Sequence, residues 1–150
     1  MEVKNGLNDD KILIAGVIGA FSTLISEIAS RILILLGVGS YSAYELSSLL
    51  ITGNRTNILI GFLLDCTIGA ILGGGIYLVL KRWGYRHAIA ICILSGLIMW
   101  LLWEIIYTIN IEGHTIERRM ISGYLNHFIN TITYGTFLGL TLKRFIFNKI

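Results

Sequence analysis

Four long apolar runs, separated by short polar stretches, set the pattern of this chain. A polar start carries Lys4, Asp9, Asp10 and Lys11, and the first apolar run then extends from about residue 12 to 36. Three more follow at about 57–80, 88–109 and 120–142. Roughly 20 apolar residues in a helix cross a hydrocarbon core of about 30 Å, so each run is long enough to span. The first exceeds the core of a signal peptide and lacks a convincing small-residue cleavage site, so it is expected to remain as a helix. The pattern predicts an all-α, four-helix transmembrane bundle, one integral membrane domain over residues 1–150.

The connections differ in character. Gly37, Gly39 and Ser40 end the first run. The segment Tyr41 to Ile51 then mixes apolar and aromatic residues with serines and Glu45, which predicts a short helix at the membrane interface. Residues 81–87 form a tight basic turn, with His87 as part of its flank. Residues 110–119 carry Glu112, His114, Glu117, Arg118 and Arg119 and read as a solvated polar turn. There is no proline, so the helices can run straight.

Basic residues orient the bundle. Lys4, Lys11, Lys81, Arg82, Arg86, Lys143, Arg144 and Lys149 fall on one side, and Arg55, Arg118 and Arg119 on the other. Positive residues stay inside, so both termini are expected in the cytoplasm of a bacterial cell. Composition agrees with a membrane setting: 55% of residues are hydrophobic and only 14% charged, about half the charged share of a soluble domain. The formal charge of +3 is explained by these flanks and does not point to nucleic acid.

Ionisable residues inside the spans are the candidate chemistry. The first span carries Glu27 and Arg31, one helical turn apart and able to pair. The second carries Asp65, the third Glu104, and the fourth His127 with Asn126 and Asn130 beside it. A charge at mid-membrane costs roughly 2.5–3.5 kcal/mol on insertion scales, so these groups are expected to face the bundle interior. Counted along the spans at about 1.5 Å per residue, all four helices hold an ionisable group in the outer half. Small residues recur at spacing four beside them: Asp65, Gly69 and Gly73 in the second span, His127, Thr131, Gly135 and Gly139 in the fourth. Such ridges let helix backbones approach.

Two readings of this cluster stand side by side. In one, the groups fix helix register and the protein is a structural or partner subunit of the membrane. In the other, Glu27, Arg31, Asp65, Glu104, His127 and Asn130 form a ligand or ion site, and the protein is a small transporter or binder for a cation, proton or small polar solute. A buried carboxylate near a histidine is a plausible proton carrier. No close His or Glu spacing indicates a metal site or cofactor, and Ser22, Ser26, Ser30 and Ser95 lack the context of a nucleophile, so no enzyme is expected. Cys66 and Cys92 lie in apolar runs and read as small buried side chains. Expected partners are the lipid bilayer and, through the glycine ridges, a second copy or another membrane protein.

The long first loop, the second helix GFLLDCTIGAILGGG, the short basic turn and the last helix NHFINTITYGTFLGL together give a layout that resembles small uncharacterised four-span proteins of Gram-positive bacteria, of the YqhR-like kind. The resemblance implies a four-span architecture and no activity, cofactor or site residue.

Overall fold

The computed structural model describes the backbone of residues 3–147 and the side chains of residues 10–147. Lys4 and Lys149, counted above, lie outside the described side chains. The described chain is helical almost throughout: α1 (Val3–Leu35), α2 (Ala43–Thr52), α3 (Ile58–Trp83), α4 (Ala88–Asn110) and α5 (Ile121–Leu142), followed by a π-helical turn at Lys143–Phe147. Three helical stretches, Asp10–Leu35, Ile58–Trp83 and Ala88–Asn110, are long and apolar enough to cross a membrane.

Helix ends follow local chemistry. α1 continues through the polar start because nothing there breaks it, and it ends where Gly37 adopts φ +83°. The segment expected at the interface is α2, and it is capped at both ends. Ser42 accepts from the Glu45 amide while the Glu45 carboxylate accepts from the Ser42 amide, and Gly53 closes the helix in the left-handed region. α3 starts on Asn57, whose side chain accepts from Leu59 and Ile60 amides. It runs through Lys81, Arg82 and Trp83, three residues beyond the expected span, because only Gly84 interrupts it.

α2 departs from the expectation of a helix lying flat on a surface. Tyr44, Leu46, Ser47, Ser48 and Leu49 are all buried. The helix presses on α3 at Gly61, where a Cβ would overlap the Tyr44 carbonyl. A glycine on α3 thus decides that α2 is an internal plug.

The long helices pack in the order α3, α1, α5, α4 around the bundle. Small residues set the close contacts. Gly19 of α1 meets Gly69 and Gly73 of α3, with no room for a Cβ. On the opposite side, Cβ atoms at Gly135 and Gly139 would lie 2.6 Å from the Cα atoms of Ile93 and Ile89 in α4. α3 and α4 are consecutive in the chain, yet they touch far less than the other neighbouring long helices.

Burial is inverted relative to a protein folded for water. Ser22, Ser26, Ser30, Asn126 and His127 are buried, while Leu13, Val17, Phe21, Leu94, Ile98 and Leu101 are exposed. Exposed apolar stripes of this length mark contact with lipid or protein. Inside, the half of the bundle near the basic turn is apolar, centred on Tyr77, Leu80, Cys92, Leu138 and Leu142. Phe147 closes that end, stacked on Tyr77 and Tyr85. The half near α2 holds the polar groups.

Candidate functional site

The polar half contains three hydrogen-bonded groups built around charged side chains. The first joins α4, the loop before α5, and α5. Arg119 donates from Nη2 to Glu104 Oε2 at 2.5 Å and from Nε to Glu112 Oε1 at 2.6 Å. Tyr124 donates its hydroxyl to Glu112, and the Trp100 indole donates to Glu104 Oε1 at 3.2 Å. The Arg119 side chain is only 4% exposed, and its guanidinium lies 4.6 Å from the Tyr124 ring centre. Burial disfavours the Arg119 charge, but the carboxylates of Glu104 and Glu112 outweigh it and hold the guanidinium above its ordinary pKa.

His127 completes this group. Its Nε2 lies 3.2 Å from the Tyr41 carbonyl and therefore carries a hydrogen. Its Nδ1 stands 2.8 Å from Glu104 Oε1 and 3.2 Å from Arg119 Nη1. In the neutral ring Nδ1 accepts from Arg119; in the imidazolium it donates to Glu104. Both arrangements hold the ring in place.

The second group fastens α2 to α1. Arg31 donates to Glu27 at 2.9 Å, and the Tyr44 amide donates to the other Glu27 oxygen at 3.4 Å. Arg31 also approaches Ser42 and Glu45. A separate amide clamp fastens the loop after α1 to α5: Asn126 accepts from the Ser30 hydroxyl at 2.7 Å and donates to the Ser30 and Val38 carbonyls.

The third group is a short relay on α4, α2 and α3. Ser47 donates to Asp65 Oδ1 at 2.6 Å, so the Tyr107 hydroxyl, 2.8 Å from Ser47 Oγ, must donate to it. The relay ends at one oxygen of Asp65.

Between these groups lies a cavity of about 110 Å³. Asp65, Glu104, His127 and Asn130 line it, with Trp100, Trp103, Tyr107 and Tyr134 supplying aromatic wall. The volume is somewhat below the roughly 150 Å³ of an engineered cavity that holds benzene. Asn130 is 7% exposed, and its Oδ1 has no hydrogen-bond partner among the described residues. Of the expected site residues, Asp65, Glu104, His127 and Asn130 come together at this cavity. Glu27 and Arg31 do not line it; they form the separate α1–α2 pair.

The glycines singled out beside the charges divide between packing and lining. Gly69 both packs on α1 and borders the cavity, Gly73 packs on α1, and Gly135 and Gly139 pack on α4. Among the described residues no group of three or more His, Cys, Asp or Glu is placed to hold a metal ion. Both cysteines are free.

The polar connection before α5 is a correction to the sequence reading. His114, Glu117 and Arg118 are exposed, as a solvated turn requires, but Glu112 and the Arg119 side chain are buried. A loop with positive φ at Gly113 folds Glu112 back toward Arg119. The sequence signal for this was an Arg directly ahead of a span. Such a residue ordinarily extends its side chain outward to water, whereas here two carboxylates draw it inward. Ser47 and Tyr107 were also missed, because neither is ionised and each acts through a partner distant in sequence.

No protein-family model matches this sequence, and no curated protein or solved structure matches it.

Proposed function

We propose that this chain is a four-span integral membrane protein of the bacterial cytoplasmic membrane, with both termini cytoplasmic, and that it binds a small cationic solute in the cavity of its outer half. The fourth span is α5. Its 22 residues extend about 33 Å at 1.5 Å per residue, enough for the hydrocarbon core. Its polar residues Asn126, His127 and Asn130 are turned inward, while Ile121, Leu125 and Leu140 face outward. Sealed inside the bundle, those polar groups do not meet lipid, which makes the lower overall hydropathy of this helix tolerable.

The observation that carries the binding reading is the pair of acceptors at one cavity. Asn130 Oδ1 has no donor, and Asp65 has a donor on only one of its oxygens among the described residues. A buried acceptor left unpaired costs about 1–3 kcal/mol. A guest that donates hydrogen bonds and carries positive charge satisfies both groups together. Aromatic side chains around the cavity add a surface that attracts ammonium ions.

The test uses the full-length protein in lipid nanodiscs, with the fluorescence of Trp100 and Trp103 as the readout. Methylammonium and decylammonium are titrated, each against the wild type and Asp65→Asn. A saturable signal from at least one amine, weakened ten-fold or more by Asp65→Asn, is expected. The same response in both proteins, or none in either, overturns the reading.

One feature favours a structural role as the second reading. Glu104, Glu112, Arg119 and His127 satisfy one another without a guest. A subunit that serves a partner would need only that rigidity, and cross-linking in native membranes would then recover a second protein.

A further inference from the structure

The exposure of the cavity walls is uneven, and the unevenness gives it a direction. Of the lining side chains on α1 and α5, Ser26, His127, Asn130 and Tyr134 are buried and Thr131 is half-buried. On α3 and α4 more of the lining is half-buried, Asp65, Ile68 and Leu72 on α3 and Met99, Trp100 and Trp103 on α4, beside the buried Glu104 and Tyr107. Residues 65, 68 and 72 are spaced to form one stripe on a helix, and so are 99 and 103. α1 and α5 thus form the floor, and the mouth lies along the sparse seam between α3 and α4.

The other directions are closed. Above the cavity sit the buried α2 and the Arg119 network, with Tyr107 buried beneath them. Below it the apolar core is packed from Tyr77 to Leu142. The seam opens among exposed leucines and isoleucines, which include Ile71 on α3 and Leu102 and Ile106 on α4. In a bilayer that surroundings is acyl chain.

We infer that the cavity is loaded sideways from the membrane, and that its ligand is an amphiphilic amine: a protonated amino group held by Asp65 and Asn130, with an apolar tail lying in the α3–α4 seam. The inference rests on the cation-binding reading above and names its ligand class. Two features select this chemistry. Asp65 at the wall is a carboxylate with one oxygen that has no donor among the described residues, and Asn130 at the floor adds an unpaired amide oxygen, a combination that suits a donor with positive charge. The mouth is lined by Ile68, Leu72 and Met99, which offer nothing to a hydrated inorganic ion and a matching surface to an alkyl chain. The size of the cavity admits a head group of a few heavy atoms and leaves any longer tail outside.

The test compares tails and heads in nanodiscs, on a bilayer mole-fraction scale, with tryptophan fluorescence as the readout. The probes are decylammonium, decanol and methylammonium. Decylammonium is expected to give a saturable change that Asp65→Asn weakens at least ten-fold, and decanol to give none. Narrowing the mouth by Ile68→Phe, or independently by Leu72→Phe, is expected to weaken decylammonium at least ten-fold while the unfolding temperature stays within a few degrees of wild type. If decylammonium binds in an Asp65-dependent way but is indifferent to both mouth variants, lateral loading is wrong and the cation site stands. If methylammonium saturates the site as readily as decylammonium, the tail has no role and the ligand class is wrong. If no amine gives an Asp65-dependent signal, the cation site and the inference fall together.

Discussion

Among the described residues two arginines make ion pairs, and their surroundings give them different weight. Arg119 is sealed between Glu104 and Glu112, whereas the Arg31 side chain is 41% exposed beside Glu27. Removing one partner of a buried ion pair leaves an uncompensated charge and costs about 3–5 kcal/mol. Arg119→Leu is therefore expected to destabilise the bundle by about 3–5 kcal/mol, and Arg31→Leu by less, because it strands one buried carboxylate, Glu27, instead of two. Unfolding titrations with sodium dodecyl sulfate in mixed micelles measure both. Equal losses at the two positions would contradict this assignment.

At the scale of the element, close approach of backbones decides which helices are neighbours. Gly19, Gly69 and Gly73 bring α1 against α3, and Gly135 and Gly139 bring α5 against α4. A leucine at Gly73 or Gly135 must push helix backbone aside, and overpacking of this kind typically costs 1–3 kcal/mol or more, about enough to loosen one helix pair. Gly75 belongs to the same glycine run, but a Cβ there meets nothing within 4 Å. Gly75→Ala is expected to leave the unfolding temperature unchanged or raise it, and Gly73→Leu to lower it clearly, in thermal unfolding of the detergent-solubilised protein. A large loss at Gly75 would show a contact with a second molecule on that face.

The whole molecule has two ends of opposite character. The apolar end carries the basic turn and the π-helical turn at Lys143–Phe147, and the polar end carries α2 and the Glu112–Arg119 loop. The proposed topology puts Asn54 outside and Tyr85 inside; both are exposed in the fold. In a Cys66→Ala, Cys92→Ala background, Asn54→Cys is expected to react in intact cells with a maleimide that does not cross membranes. Tyr85→Cys is expected to react only after the cells are opened. The reverse pattern would invert the topology, and labelling of both in intact cells would remove α3 as a spanning helix.

What was legible in the sequence is what depends on solvent and on neighbours along the chain. Apolar runs long enough to cross a bilayer predicted α1, α3 and α4, because transfer of such runs out of water depends on composition and length. The i, i+4 pair Glu27–Arg31 was readable for the same reason: the helix itself sets that distance. The tertiary structure alone decided the rest. It separated that pair from the cavity, brought Asp65, Glu104, His127 and Asn130 to one cavity, and turned Arg119 inward between two carboxylates. It buried α2 against Gly61 and left α3 and α4, adjacent in sequence, apart in space. Each of these follows from which helix faces can meet at backbone distance, and that depends on how small residues on different helices match in three dimensions, which no single stretch of sequence encodes.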